Sequence, residues 1–211
     1  MRAVYIGGFG NGRQCSERVA SALRAYYDIV DSFTFSYAMT HQDEIHMALR
    51  GADAITHSAG MLAIAEASPN KIYSFGAPLP TPIYHFPGKS ITKNSQMHRQ
   101  GVGIQSLSDV KTVKDYQLSS SAELLFHPIS NFGRLKQISR FNAIDAAILA
   151  AKNDIPISLA YMQWDEFFQL SEAHEAAALA AGVSVVRLAG VHDELVLRPE
   201  KTLRLAGFTA S

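Results

Sequence analysis

Short apolar runs alternate with segments in which apolar residues recur every three or four positions along most of the chain. The apolar runs predict six strands, at residues 3–6, 29–35, 52–57, 71–75, 155–162 and 183–188. The segments of helical periodicity predict helices at 16–27, 43–50, 59–67, 142–153, 171–181 and 199–206. Because strands and helices alternate, the pattern predicts a three-layer α/β/α sandwich with a mostly parallel sheet of about six strands.

The alternation is interrupted between residues 79 and 131. This segment opens with prolines at 80, 82 and 87, and two stretches at 92–107 and 109–126 have helical periodicity, whereas no part of it reads as a strand. We interpret it as a helical lid inserted over the carboxyl ends of the strands. Neither a repeat nor a linker divides the chain, so a single domain over 1–211 is predicted.

The composition of the chain indicates which kinds of partner and which cellular compartment to expect. The 211 residues are enough to bury one sizeable core, and 19 basic residues balance 19 acidic ones. This balance argues against broad attraction to nucleic acid or to an anionic membrane. Cys15 is the only cysteine, and no apolar run has the length of a membrane span or a signal peptide. We therefore expect a cytoplasmic protein with a small-molecule partner and no membrane span.

A serine follows the third predicted strand in the segment Thr-His-Ser-Ala-Gly, residues 56–60. A serine hydroxyl becomes a nucleophile only beside a base that a third group orients. A sharp strand-to-helix turn suits such a serine if the residues two before and two after it are small. Gly60 meets this requirement, whereas Thr56 replaces the usual glycine. The alternative is that Ser58 merely caps the following helix.

A base and an acid also follow predicted strands. Of the eight histidines, His192 is the one in the loop after the last strand, where its ring can reach Ser58; the alternative is a surface-loop histidine. Asp165 follows the strand that ends at 162 and is the expected orienting carboxylate. Glu166 is adjacent and is the alternative acid, in which case Asp165 would cap a short helix at 166–170.

A glycine-rich loop at residues 7–12 follows the first predicted strand. Such a loop can direct backbone N–H groups at a developing oxyanion, and the expected donors are Ala59 together with Gly8 or Phe9. The alternative is a dinucleotide-phosphate loop. The G-x-G-x-x-G spacing does not fit, because the third glycine would fall at Arg13 or Cys15.

The spacing of histidine, cysteine and acidic residues does not indicate a metal site. HExxH and CxxC motifs are absent, and His41 and His46 are five residues apart and do not share a helix face. No metal and no cofactor is expected. Large apolar residues of the lid, together with Phe132, are candidates to line an acyl pocket, although ordinary packing explains them equally well. They are Tyr84, Phe86, Met97, Tyr116 and Phe126.

With these residues in place, the chain resembles the α/β-hydrolase superfamily of serine esterases and lipase-like proteins, which have the order Ser…Asp…His. The resemblance implies Ser58 as nucleophile, His192 as general base and acid, and Asp165 as the residue that orients His192. It implies an oxyanion hole of Ala59 and Gly8 or Phe9, and hydrolysis of a carboxylic ester or thioester through an acyl-enzyme on Ser58.

Two other classes of protein stay open at this point. One is a catalytically silent member of the same superfamily that binds a small ligand under the lid. The other is a nucleotide-dependent α/β enzyme that uses the loop at 7–12 for phosphate.

Overall fold

The computed structural model of the chain describes residues 1–82, 128–165 and 167–209. All six predicted strands are present. They are β1 (Arg2–Ile6), β2 (Ile29–Phe33), β3 (Asp53–His57), β4 (Lys71–Phe75), β5 (Ile157–Met162) and β6 (Ser184–Leu188). The lid helices predicted at 92–107 and 109–126 lie outside the described residues.

The six strands form one sheet in the order β2-β1-β3-β4-β5-β6, and every pair of neighbours is parallel. Tyr5 of β1 stands opposite Ser32 of β2 on one side and Ile55 of β3 on the other. The chain therefore leaves β1 toward one edge and returns past it to build the rest of the sheet. Such a reversal opens a crevice at the carboxyl ends of the two strands, here β1 and β3.

Eight α-helices are present among the described residues. They are α1 (Arg13–Leu23), α2 (Phe35–Thr40), α3 (Gln42–Leu49), α4 (Pro128–Arg140), α5 (Ala143–Lys152), α6 (Glu172–Ala180), α7 (Glu194–Leu197) and α8 (Pro199–Leu205). A 3-10 helix, Ser58–Ile64, follows β3 directly. None of the helices in these ranges is long and apolar enough to cross a membrane.

Strand side chains alternate between two apolar layers, one on each face of the sheet. On one face Tyr5 and Ile55 pack in a cluster with residues of α1, α7 and α8, such as Leu23 and Leu203. On the other face Ile6 and its neighbours pack with residues from the 3-10 helix and α2–α6. Helices thus cover both faces, and the predicted three-layer α/β/α architecture is confirmed.

Two short-range predictions were wrong. The strand predicted at 29–35 ends at Phe33, because the Thr34 side chain accepts a hydrogen bond from the N–H of Tyr37 (3.3 Å) and starts α2. The α-helix predicted at 59–67 is a tighter 3-10 helix that begins at Ser58 itself. Helices α2, α4 and α7 were not predicted, and α4 extends across residue 131, the predicted end of the lid.

Candidate active site

Ser58 occupies the sharp turn between β3 and the 3-10 helix. Its φ of 51° is left-handed, a conformation that stores strain in a residue other than glycine. Gly60 allows the turn to lie against β1, because a Cβ there would come within 2.4 Å of the Ile6 carbonyl oxygen. The missing side chain at residue 60 therefore sets how closely Ser58 approaches β1.

Thr56 stands where the superfamily pattern has glycine, and the sheet accommodates it. Its side chain is buried and points to the face of the sheet that also carries Ser74, the residue opposite it in β4. The Thr56 hydroxyl donates a hydrogen bond to Oγ of Ser74 (2.7 Å). The extra polar group is thus satisfied inside the sheet.

Asp165 and His192 form a buried pair, with exposed fractions of 0% and 3%. Oδ2 of Asp165 lies 2.7 Å from Nδ1 of His192, and Oδ1 accepts the N–H groups of Phe167 and Phe168 at 2.8 Å each. A carboxylate only accepts, so Nδ1 of a neutral ring carries the proton and Nε2 is the basic nitrogen. Of the two acids weighed from sequence, Asp165 is the one placed here, and Glu166 lies outside the described residues.

Gly76, at the carboxyl end of β4, makes room for this pair. A Cβ on Gly76 would lie 3.1 Å from Cε1 and Nδ1 of His192 and 3.2 Å from Oδ2 of Asp165. Its φ of 58° is also one that other residues rarely adopt. No motif in the sequence pointed to this residue, although a glycine at the exit of a predicted strand was a usable signal.

Ser58 and His192 line one pocket, and the remaining described residues around it are apolar. These are Phe9, Ala59, Leu135, Ile138, Phe167 and Phe168. The rings of Phe167 and Phe168 stand edge-on to the His192 imidazole, with centroid distances of 5.1 and 5.4 Å. The imidazole is therefore held by apolar contacts as well as by its carboxylate partner.

The glycine-rich loop, which follows β1, also lies beside the pocket of Ser58 and His192. Gly8 is so close that a Cβ would lie 2.8 Å from Cβ of Ser58, and the next residue, Phe9, lines the pocket. Ala59 lies in the first turn of the 3-10 helix, where N–H groups have no carbonyl partner within the helix. The fold thus brings the three predicted oxyanion residues, Gly8, Phe9 and Ala59, around Ser58.

His57 is a buried member of the site that sequence analysis passed over. Its Nδ1 lies 3.0 Å from Nδ2 of Asn11, and its Nε2 lies 3.0 Å from the carbonyl oxygen of His192. Burial, and then the nearby His192, lower the pKa of His57 to about 4, so its ring is neutral at neutral pH. These contacts could not be predicted from a sequence motif, because Asn11 and His192 lie far from His57 along the chain.

One group of side chains in the described ranges has the spacing of metal ligands: donor atoms of His57, His192 and Asp193 lie within 4.8 Å of one another. The hydrogen bonds to Asn11, to the His192 carbonyl and to Asp165 occupy three of the four imidazole nitrogens. A metal ion held by both rings would have to displace some of these bonds. The arrangement suits proton transfer better than metal binding.

No family model and no curated protein sequence matches this chain. Solved structures do match. An N-formylmaleamic acid deformylase from Pseudomonas putida S16 has a TM-score of 0.64 at 12% identity, covering 98% of this chain and 91% of that one.

Two further solved structures resemble this chain to a similar extent. A carboxylesterase of the thaumarchaeon Nitrososphaera gargenis has a TM-score of 0.64 at 11% identity, covering 96% and 86% of the two chains. The thioesterase domain of the curacin biosynthetic pathway has a TM-score of 0.58 at 12% identity, covering 97% and 90%. At such identities the similarity is one of architecture, and this chain has the α/β-hydrolase fold.

Proposed function

We propose that the protein is a serine hydrolase that cleaves a carboxylic ester or a thioester through an acyl-enzyme on Ser58. The observation that carries this proposal is the buried Asp165–His192 pair, which shares an apolar pocket with a serine held at a positive φ. A nucleophile, a base and an orienting acid are the groups that acyl transfer to water requires.

In the proposed reaction, Oγ of Ser58 attacks the carbonyl carbon of the substrate while Nε2 of His192 takes the hydroxyl proton. Asp165 stabilises the imidazolium that forms. His192 then gives the proton to the leaving alcohol or thiol as its bond to the acyl carbon breaks. Water, deprotonated by the same histidine, attacks the acyl-enzyme and releases the carboxylic acid and Ser58.

The N–H group of Ala59, with that of Gly8 or Phe9, would stabilise the negative charge on the tetrahedral oxygen. Loss of one such donor typically lowers kcat about 10²- to 10³-fold. The close packing of Gly8 against Ser58 favours this role for the glycine-rich loop over phosphate binding.

The pocket supports a neutral, apolar acyl group. Besides Ser58 and His192, its described lining consists of Ala59 and bulky apolar side chains, with no lysine, arginine or carboxylate among them. Burial of an apolar acyl chain against such a surface supplies binding energy. The names of two structural neighbours, a carboxylesterase and a thioesterase, are in line with this substrate class.

The test is labelling with a fluorophosphonate, which reacts with activated serines, followed by mass spectrometry to locate the modified peptide. Labelling is expected at Ser58 in the wild type, to vanish in Ser58→Ala and to weaken strongly in His192→Ala. Ser68→Ala, at an exposed serine a few residues beyond the 3-10 helix, is the matched control and should label like the wild type. A panel of esters and thioesters of increasing acyl length then defines the substrate.

Failure of a well-folded wild type to label at Ser58, together with no turnover of any ester or thioester, would overturn the proposal. The pocket would then be that of a ligand-binding protein. Labelling that persists in Ser58→Ala would also contradict the assigned nucleophile.

A further inference from the structure

His57 is the last residue of β3, its side chain is 1% exposed, and the proposed reaction gives it no step. Its two ring nitrogens nevertheless have well-matched partners. The carbonyl oxygen of His192 only accepts, so Nε2 of His57 carries the ring proton and donates it. Nδ1 is then an acceptor, which suits the amide N–H of Asn11. Both bonds require the neutral ring in this one tautomer.

One of these bonds reaches the glycine-rich loop. The backbone N–H of Asn11 donates to the carbonyl of Gly8 (3.0 Å), which closes a turn that contains Phe9. Gly8 itself lies against the imidazole, since a Cβ on it would be 3.1 Å from Nδ1 of His57. The position of the two candidate oxyanion donors is thus tied to His57.

The other bond reaches the loop after β6, and it ends on the main chain of His192 itself. Ser58 directly follows His57 in the sequence. The side chain of His57 therefore connects the glycine-rich loop with the loop that carries His192, and it does so directly beside Ser58.

We propose that His57 is a positioning residue: its neutral ring bridges Asn11 and the main-chain carbonyl of His192, and so holds the glycine-rich loop and the base in register with Ser58. This inference rests on the proposed hydrolase function.

The charge state of the bridge matters because the two imidazole rings are only 5.1 Å apart. His192 becomes positively charged as it takes the serine proton, and a second positive charge at this distance would oppose that step. Two carboxylates also face this region, since Asp193 lies 4.0 Å from Nε2 of His57 and Asp165 holds His192. A bridge that is neutral adds no repulsion, and this favours histidine over lysine or arginine at position 57.

The first experiment compares His57→Phe with His57→Gln. Phenylalanine fills a similar volume but makes neither hydrogen bond, and a displacement of catalytic groups by about 1 Å can lower kcat up to about 100-fold. We expect such a fall in kcat with little change in KM. Glutamine can present an amide N–H near the position of Nε2, so His57→Gln should recover much of the lost kcat. If residue 57 served only for packing, phenylalanine would be the better substitute, and that order of activities overturns the inference.

The second experiment is a double-mutant cycle between His57→Phe and Asn11→Ala. If the bridge is one unit, the double variant should be little slower than the slower single variant. Losses in kcat that multiply would show that the two residues act independently, which contradicts the bridge.

The failure of this inference is distinguishable from that of the proposed function. If Ser58 of the wild type is labelled by the fluorophosphonate and His57→Phe keeps the wild-type kcat, the positioning role of His57 is wrong and the hydrolase function stands. If the wild type is not labelled, both proposals are wrong. Should the His57 variants not fold, ¹⁵N spectra of histidine-labelled wild type decide the matter. They should show a proton on Nε2 and none on Nδ1 of His57 at neutral pH, and the opposite tautomer would overturn the inference.

Discussion

Two residues of the site have left-handed backbone conformations, Ser58 with φ 51° and Gly76 with φ 58°. Ser58 lines the pocket in this strained conformation, and such conformations persist only where the surrounding structure determines them. Gly76 has no side chain, and the space that this leaves is taken by the Asp165–His192 pair. Two single residues thus shape the site: Ser58 through its strained backbone, and Gly76 through its lack of a side chain.

Gly76→Ala should reduce activity as well as stability. The new Cβ would push His192 and Asp165 away by a few tenths of an ångström, so we expect kcat to fall about 10-fold. The positive φ alone should lower the free energy of unfolding by about 1–2 kcal/mol. Gly182→Ala is the matched control, because its φ is 80° and nothing lies within 4 Å of its Cβ. It should show the stability loss without the loss of kcat; equal kcat in both variants would contradict this role of Gly76.

The buried His57 should make the protein less stable in acid. Its pKa is about 4 in the folded protein against an ordinary value of 6.5, so between these values the unfolded chain binds a proton that the folded protein does not. This contribution to stability is complete above pH 6.5 and falls by roughly 3 kcal/mol as the pH drops toward 4.

Denaturant unfolding at pH 7 and pH 4 measures this effect, and His57→Phe should show a smaller difference between the two pH values than the wild type. A titration of the His57 ring by NMR in the folded protein checks the cause directly. A His57 resonance that titrates near pH 6.5 would contradict it.

At the scale of elements, the connection between β3 and the 3-10 helix decides where Ser58, the proposed nucleophile, lies. Three features act together: β3 ends at a buried histidine, the serine turns the chain, and Gly60 passes close to β1. The 3-10 geometry begins at Ser58 itself, so Ala59 lies in the first turn, where N–H groups have no carbonyl partner within the helix.

Gly60→Ala should disrupt this connection. Its Cβ would come within 2.4 Å of the Ile6 carbonyl oxygen and 3.0 Å of that of Gly7, both backbone atoms that cannot rotate away. We expect a loss of about 2–3 kcal/mol in the free energy of unfolding, and weaker fluorophosphonate labelling because Ser58 moves with the turn. Gly133→Ala, in α4 with nothing within 4 Å, should instead raise stability by about 0.5–1 kcal/mol. Equal stability in the two variants would refute the argument.

All six strands and five of the eight described helices were predicted, whereas α4 and the two shortest helices, α2 and α7, were not. Helix α5 (Ala143–Lys152) was predicted to within one residue at each end, because its apolar residues recur at helical spacing and Asn142 caps it. Helices α2 and α7 have six and four residues, too few for a period to show. The end of β2 was wrong for a related reason: the apolar run continues into α2, and only the Thr34 cap separates them.

For the whole molecule, the order of strands implies a gradient of stability. Strands β1 and β3 lie inside the sheet and are almost wholly buried, whereas β2 and β6 are its edges and are largely half-exposed. Hydrogen exchange should therefore be slowest for amides of β1 and β3 and faster for β2 and β6. Exchange at β6 as slow as at β3 would contradict this gradient. Ser58 and the glycine-rich loop follow these two slow strands, whereas His192 follows the edge strand β6. The frame around Ser58 should therefore persist when β6 opens, while the position of His192 is lost first.

The amino-acid sequence by itself determined the class of fold and the places where chemistry could occur, because strand–helix alternation and polar residues at strand exits are local patterns. It left open whether Asp165 or Glu166 pairs with His192, and it did not indicate Gly76 or His57. Only the tertiary structure decided these points. They depend on distances between segments up to 135 positions apart, and such distances arise when the sheet brings the carboxyl ends of its strands together.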